Sequence, residues 1–372
     1  MTLGFEVSGA RDTALRIVAT GTGSRVRIAL ARHRGRWAFV PLGLLVALSL
    51  SAPLVAAAGL QPALSGSPPA TSAEGRARAA AAAPEEPSFA VGLRVLRFVD
   101  RGRTIRLARG RSEPRTLVTY VWYPALGSPG GPVVPNATPA VAGGPYPLVV
   151  FGHGFAVTPG LYANQLASWA RAGYVVAAPV FPLGNADAPG GPDEADVINQ
   201  PRDMSFVISS LLSADESDTG PLAGLVDPTR IAVAGHSDGG ETALAVGYSR
   251  RYRDPRVGAA VILSGAEMSG VGGYSFAQGS PPLLAVQGTA DTSNEPKFTK
   301  AFVKLARRPK FLLSLPGAGH LRPYTSQEPQ LAIVERVTIA FLDRYLKGQS
   351  GASQDLVSSA RVPGTSALLA DP

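Results

Sequence analysis

From Phe89 onward the chain alternates two kinds of apolar pattern. Short, almost uninterrupted apolar runs read as strands buried on both faces. Longer stretches, with apolar residues returning every three or four positions, read as helices packed on one side. The pattern predicts strands at Val91–Val99, Thr116–Tyr123, Pro147–Phe151, Tyr174–Phe181, Arg230–Ala234, Val257–Leu263, Leu283–Gln287 and Phe311–Leu315. Between them it predicts helices at Leu161–Ala172, Val197–Ser213, from Asp238 onward, at Lys297–Arg307 and at Gln327–Leu346. Strands alternating with helices in this way specify an α/β fold: a mostly parallel sheet covered on both faces. The first two strands have no helix between them and are expected to form an antiparallel N-terminal edge. No internal repeat interrupts the alternation.

Outside residues 89–347 the pattern changes. Arg25, Arg27, Arg32, Arg34 and Arg36 precede an uncharged run from Trp37 to Leu60, with small residues at Ala56–Ala58. A positive flank before an apolar stretch is the layout of an export signal, and the run is just long enough to act instead as a membrane anchor. Either way the residues after it are expected outside the cytoplasm, secreted or tethered through residues 37–60. Residues 61–88, "QPALSGSPPATSAEGRARAAAAAPEEPS", read as a disordered Ala/Pro-rich linker. Residues 348–372 are small and polar and are expected to be a flexible tail.

Charge and composition narrow the chemistry. The net charge of +8 suggests a polyanion partner, but residues 1–60 carry +5 of it and residues 89–372 only +4. No basic patch interleaved with aromatics accompanies it, so nucleic acid is not expected as a partner. With no cysteine and four histidines, the chain cannot form a disulfide or a thiolate site and offers little to hold a metal. No cofactor is expected, and the catalytic part is expected to be a monomer.

The candidate chemistry lies in Ile231–Leu244, "IAVAGHSDGGETAL". Gly235-His236-Ser237-Asp238-Gly239 has the G-x-S-x-G spacing of a nucleophile elbow. Such a serine sits on a sharp strand-to-helix turn, and flanking glycines prevent clashes there. The bland alternative is a Gly-rich turn with an incidental serine. Of the histidines, His33 lies in the leader, His153 in a Gly-His-Gly turn, and His236 is placed to point away from Ser237. That leaves His320, in "LPGAGH" after the last strand, as general base. Asp291, after the strand "PLLAVQ", is preferred over Glu267 and Glu295 to orient that histidine; a turn or N-cap residue is its alternative reading. The order Ser, Asp, His is the one such folds use. An oxyanion hole needs two backbone N–H groups, and those of Asp238 and Phe155 are the candidates, Phe155 packing as an ordinary aromatic being the alternative.

With these residues the chain resembles the α/β-hydrolase superfamily, and within it the dienelactone-hydrolase-like, platelet-activating-factor-acetylhydrolase-like and cutinase-like esterases. The resemblance spans about residues 92–346 and rests on "VTYVWYPA", "YPLVVFGHGF", "LASWARAGYVVAAP", "PRDMSFVISSLL", "RIAVAGHSDGG", "LLAVQGTAD" and "LPGAGH", in family order. It implies an α/β-hydrolase fold, Ser237, Asp291 and His320 as a triad, and Phe155 and Asp238 as oxyanion donors. It departs from dienelactone hydrolases in lacking a cysteine nucleophile. It departs from polyester-degrading cutinases in having "SGAEMSG", without Trp, after the strand that follows the elbow.

The expected function is an exported serine carboxylesterase acting on a small-molecule or lipid ester. Residues 184–200 and 264–282 are too short for a large lid, so short- to medium-chain acyl groups are expected. The same triad can serve an acyltransferase with a sugar or lipid alcohol as acceptor, and a silent surface protein can keep the fold. Asp238 is the odd residue, an acid beside a developing oxyanion. It is expected to turn away or to find a donor, and Asp238→Met is expected to keep or raise activity.

Overall fold

The computed structural model describes residues 89–107, 110–216 and 220–372, together with two short strands, Val18–Thr20 and Arg27–Ala29, which pair antiparallel. The export segment expected at 1–60, those two strands apart, and the linker expected at 61–88 lie outside the described residues. Among the described residues no helix is long and apolar enough to cross a membrane.

The apolar runs become strands of one ten-stranded sheet. In chain order they are β1 (Ala90–Arg106), β2 (Ser112–Ala125), β3 (Val134–Pro135), β4 (Tyr146–Gly152), β5 (Val175–Pro179), β6 (Val226–His236), β7 (Val257–Leu263), β8 (Leu283–Gly288), β9 (Lys310–Leu315) and β10 (Ala367–Asp371). Across the sheet the order is β10-β9-β8-β7-β6-β4-β5-β2-β1-β3. The six central strands, β5 to β9 with β4, are parallel. β1 and β2 form a long antiparallel hairpin at one side, as the absence of a helix between them requires.

Helices α1 (Ala163–Arg171), α2 (Gln200–Asp215), α3 (Asp238–Tyr248), α4 (Pro296–Leu305) and α5 (Gln330–Tyr345) cover the two faces. Neighbouring residues of a strand point to opposite faces, so each central strand serves two cores. Val149 and Phe151 of β4 and Ala232 and Ala234 of β6 pack with Leu166 and Trp169 of α1 and Phe341 of α5. Leu148, Val150, Ile231 and Val233 pack on the other side with Val207 of α2, Leu244 of α3 and Phe302 of α4. All four residues Leu148–Phe151 are fully buried, which explains why these strands read as continuous rather than alternating apolar runs.

The expected flexible tail is corrected. Residues 352–359 form a helix, α6 (Ala352–Ser359), whose Leu356 is buried, and β10 pairs antiparallel with β9, Lys310 standing opposite Asp371. β9 would otherwise be an edge with open backbone groups, and β10 satisfies them. The parallel core thus has an antiparallel margin at both ends, where only the N-terminal one was expected.

A buried ion cluster fixes the long segment between β5 and α2. Arg115 of β2 donates paired hydrogen bonds to Asp196, at 2.8 and 2.7 Å, and to Asp203, at 2.7 and 2.6 Å. Asp196 lies in a 3₁₀ turn, Glu194–Asn199, that packs against α3. This segment borders the nucleophile, and its start is tied to the β4 loop by Ala156 N–H donating to the Gly184 carbonyl.

Candidate active site

β6 ends at His236, α3 begins at Asp238, and Ser237 stands alone between them with φ 56° and ψ −125°. A side chain rarely adopts that region, and the turn is held there by its surroundings. Ser237 N–H donates to the Leu263 carbonyl of β7, and its own carbonyl accepts from Glu241 N–H. The glycines make the approach feasible: a Cβ on Gly235 would stand 2.0 Å from the Gly239 carbonyl oxygen, and one on Gly239 would stand 2.0 Å from that of Gly152. The G-x-S-x-G spacing is therefore a packing requirement between the elbow and β4.

The structure brings Ser237, His320 and Asp291 into one hydrogen-bonded line. His320 Nε2 lies 2.9 Å from Ser237 Oγ, and His320 Nδ1 lies 2.8 Å from Asp291 Oδ2. The carboxylate can only accept, so Nδ1 carries the proton and Nε2 is left bare to take one from the serine. Asp291, which follows β8, is buried and richly bonded. Its Oδ1 accepts from Ser293 N–H and Asn294 N–H, and its Oδ2 also accepts from the Gln287 amide at 3.1 Å. Burial works against its ionisation, but the bond and charge of His320 and the Ser293 N–H outweigh it and hold the carboxyl below its ordinary 3.8.

Phe155, proposed as the second oxyanion donor, follows a glycine that touches the nucleophile. A Cβ on Gly154 would lie 3.3 Å from Ser237 Cβ. The Phe155 side chain is 36% exposed rather than packed in the core. The turn beneath is fixed by His153, which is buried. Its Nδ1–H donates to the Gly154 carbonyl and its Nε2 accepts from Phe181 N–H.

Asp238, expected to turn away or to find a donor, has no donor at Oδ2. The residue is 9% exposed and its Oδ2 is buried without a hydrogen-bond partner. Burial, then the charge of Glu194, pushes its carboxyl up to about 6, against the pull of His320. Glu241, one turn on, is pushed up to about 7 by burial and by the charges of Asp238 and Glu194.

Several residues in and around the site had no distinguishing signal in the sequence. Gln287 and Asn294 brace Asp291, and Asn294 also reaches the Ser264 carbonyl at 2.7 Å. Tyr162 OH lies 2.8 Å from His236 Nδ1, and His236 Nε2 lies 2.8 Å from the His320 carbonyl oxygen. These are contacts between elements distant in the chain, and no local pattern announces them.

Residues 125–287 match the family model described as Chlorophyllase. Among solved structures, the ferulic acid esterase from Streptomyces cinnamoneus is similar, with 25% identity and a TM-score of 0.56 over 72% of this chain and 93% of that one. No curated protein matches the chain. The parallel sheet, its elbow and these likenesses define an α/β-hydrolase. Within that superfamily the chain is a serine esterase, a hydrolase of carboxylic ester bonds.

Proposed function

We propose that the chain is an exported serine carboxylesterase that hydrolyses short- to medium-chain acyl esters through an acyl-enzyme on Ser237. The observation that carries this reading is the unbroken line from Ser237 Oγ through His320 to Asp291. Ser237 attacks the ester carbonyl while His320 Nε2 takes its proton. Asp291 holds the Nδ1–H tautomer and stabilises the imidazolium, and the N–H groups of Phe155 and Asp238 receive the oxyanion. His320 then returns the proton to the leaving alcohol. Water, activated by the same histidine, releases the acid. Export is supported by the Arg-flanked apolar run at 37–60, and the short acyl preference by the short segments that border the site.

The decisive test is reaction of the purified protein with a fluorophosphonate probe, alongside hydrolysis of p-nitrophenyl butyrate. Ser237→Ala is expected to abolish labelling and to lower kcat/KM by a factor on the order of 10³ or more. Labelling that persists in Ser237→Ala, or unchanged hydrolysis, overturns the assignment. A panel running from acetyl to long-chain triglyceride esters, with a ferulate ester included because of the structural neighbour, tests the substrate class. Triglyceride turned over faster than butyrate would sink the short-chain preference.

A further inference from the structure

His236 stands directly before the nucleophile, and the chemistry above gives it no role. Its ring is 1% exposed and lies between three others, with centroids 4.7 Å from His320, 4.9 Å from Tyr324 and 5.6 Å from Tyr162. Both of its nitrogens are engaged, and the partners fix how. The His320 carbonyl can only accept, so His236 Nε2 carries a hydrogen and donates to it at 2.8 Å. Burial, and next the charge of His320, pushes the His236 imidazole down to about 3, so it is neutral and its Nδ1 is bare. Tyr162 must then donate its hydroxyl hydrogen to Nδ1, at 2.8 Å, and its oxygen faces Gly154 N–H at 3.4 Å.

We propose that His236 and Tyr162 are positioning residues: their hydrogen-bonded chain, Gly154 N–H to Tyr162 to His236 to the His320 carbonyl, sets the distance between the general base, the nucleophile and the oxyanion loop. The proposal rests on the serine-esterase reading of Ser237, His320 and Asp291. Three separate loops must meet within a few tenths of an ångström for that chemistry. Phe155 follows Gly154 in one loop, Ser237 follows His236 in the second, and His320 belongs to the third. The chain touches the backbone of the first and third and grows from the second.

His320 needs such a tether more than the others do. It sits in Pro316-Gly-Ala-Gly-His320 beyond the end of β9, outside any sheet ladder. Asp291 holds the side-chain end of His320, and His236 holds its main-chain end. An apolar ring of similar size would fill the space but leave the buried Tyr162 hydroxyl and the His320 carbonyl without their partner. The relay is also self-consistent in only one arrangement. Gly154 N–H can only donate and the His320 carbonyl can only accept, and Tyr162 and His236 between them each donate once and accept once, so the relay cannot reverse without leaving the His320 carbonyl unpaired.

The test uses full-length protein and p-nitrophenyl butyrate, with Ser237→Ala as reference. His236→Phe is expected to lower kcat by about thirtyfold or more with KM within about threefold, and to slow fluorophosphonate labelling of Ser237 by a similar factor. His236→Gln, which keeps a donor and an acceptor, is expected to recover most of that loss. Tyr162→Phe is expected to cost about three- to tenfold in kcat. The double variant Tyr162→Phe/His236→Phe is expected to be no slower than His236→Phe alone, because both break one chain. If His236→Phe does not fold, Tyr162→Phe and His236→Gln carry the test. Wild-type kcat in folded Tyr162→Phe, losses that multiply in the double variant, or His236→Gln as slow as His236→Phe overturns the proposal. Each of these is read against an inactive Ser237→Ala; an active Ser237→Ala overturns the esterase reading itself.

Discussion

The two sides of Ser237 are built on opposite principles. On the His320 side, the imidazole, the Asp291 carboxylate and the supporting Gln287 and Asn294 groups are matched donor to acceptor, and the carboxyl is held below its ordinary value. On the α3 side, Asp238 and Glu241 occupy the first turn of the helix, where burial and the charge of Glu194 push both carboxyls up, to about 6 and about 7, against the pull of His320 on Asp238 and of the Asn294 side chain on Glu241. Buried charge that is only partly compensated is relieved by taking a proton. On one wall of the site the Asp291 carboxylate is therefore ionised throughout the neutral range. The other changes charge within it, a residue away from where negative charge develops. The helix N-terminus favours a carboxylate by only about 0.3–1 kcal/mol, less than the burial it opposes here.

Breaking the fixed side has the larger effect. Asp291→Asn replaces an acceptor by an amide that can present an N–H to His320 Nδ1, which favours the tautomer with the hydrogen on Nε2. The bare nitrogen then faces away from Ser237, and kcat is expected to fall by a factor of about 10³–10⁴ with little change in KM. Steady-state kinetics of the folded variant check this. A loss below tenfold would mean that Asp291 only closes its own turn through Ser293 and Asn294, and that the His320 tautomer is set elsewhere.

The same contrast separates what could be read in the chain from what could not. The central strands were legible because Leu148–Phe151 and Ile231–Ala234 are buried on both faces, which leaves an unbroken apolar run. The elbow was legible because Gly235 and Gly239 answer a steric demand written at fixed spacing. Ser237, Asp291 and His320 follow from strand ends and elimination, and the structure places them within hydrogen-bond reach of one another. The tail was misread: Ala367–Asp371 becomes a strand only because β9 offers it an edge, a tertiary cause with no local trace. The same holds for Arg115 between Asp196 and Asp203, and for Tyr162 against His236, partners 74 or more residues apart. Asp238 was visible as an anomaly, but only burial shows that its Oδ2 is left without a donor.

Asp238→Asn sharpens the comparison from the unmatched side, with a smaller effect. In the unfolded chain this carboxyl titrates near its ordinary 3.8, and in the folded protein near 6, so the folded state holds the proton more tightly. The contribution of Asp238 to wild-type stability therefore declines as pH rises from about 4 to about 6, and its whole deficit is present above that. Asn carries no charge and escapes it. The variant is expected to match wild type near pH 4 and to be more stable by on the order of 2 kcal/mol at pH 8, part of the gain coming from Glu241 relieved of its neighbour. Activity moves the same way. Through pH 6 the wild-type carboxylate forms beside the oxyanion and opposes it, so kcat/KM of Asn over wild type is expected to climb with pH, by less than tenfold. Melting temperatures and kcat/KM of both proteins from pH 4 to pH 8 decide it. Stability curves that run parallel would show that Asp238 is ionised throughout and compensated, and the α3 side would then be as well matched as the His320 side.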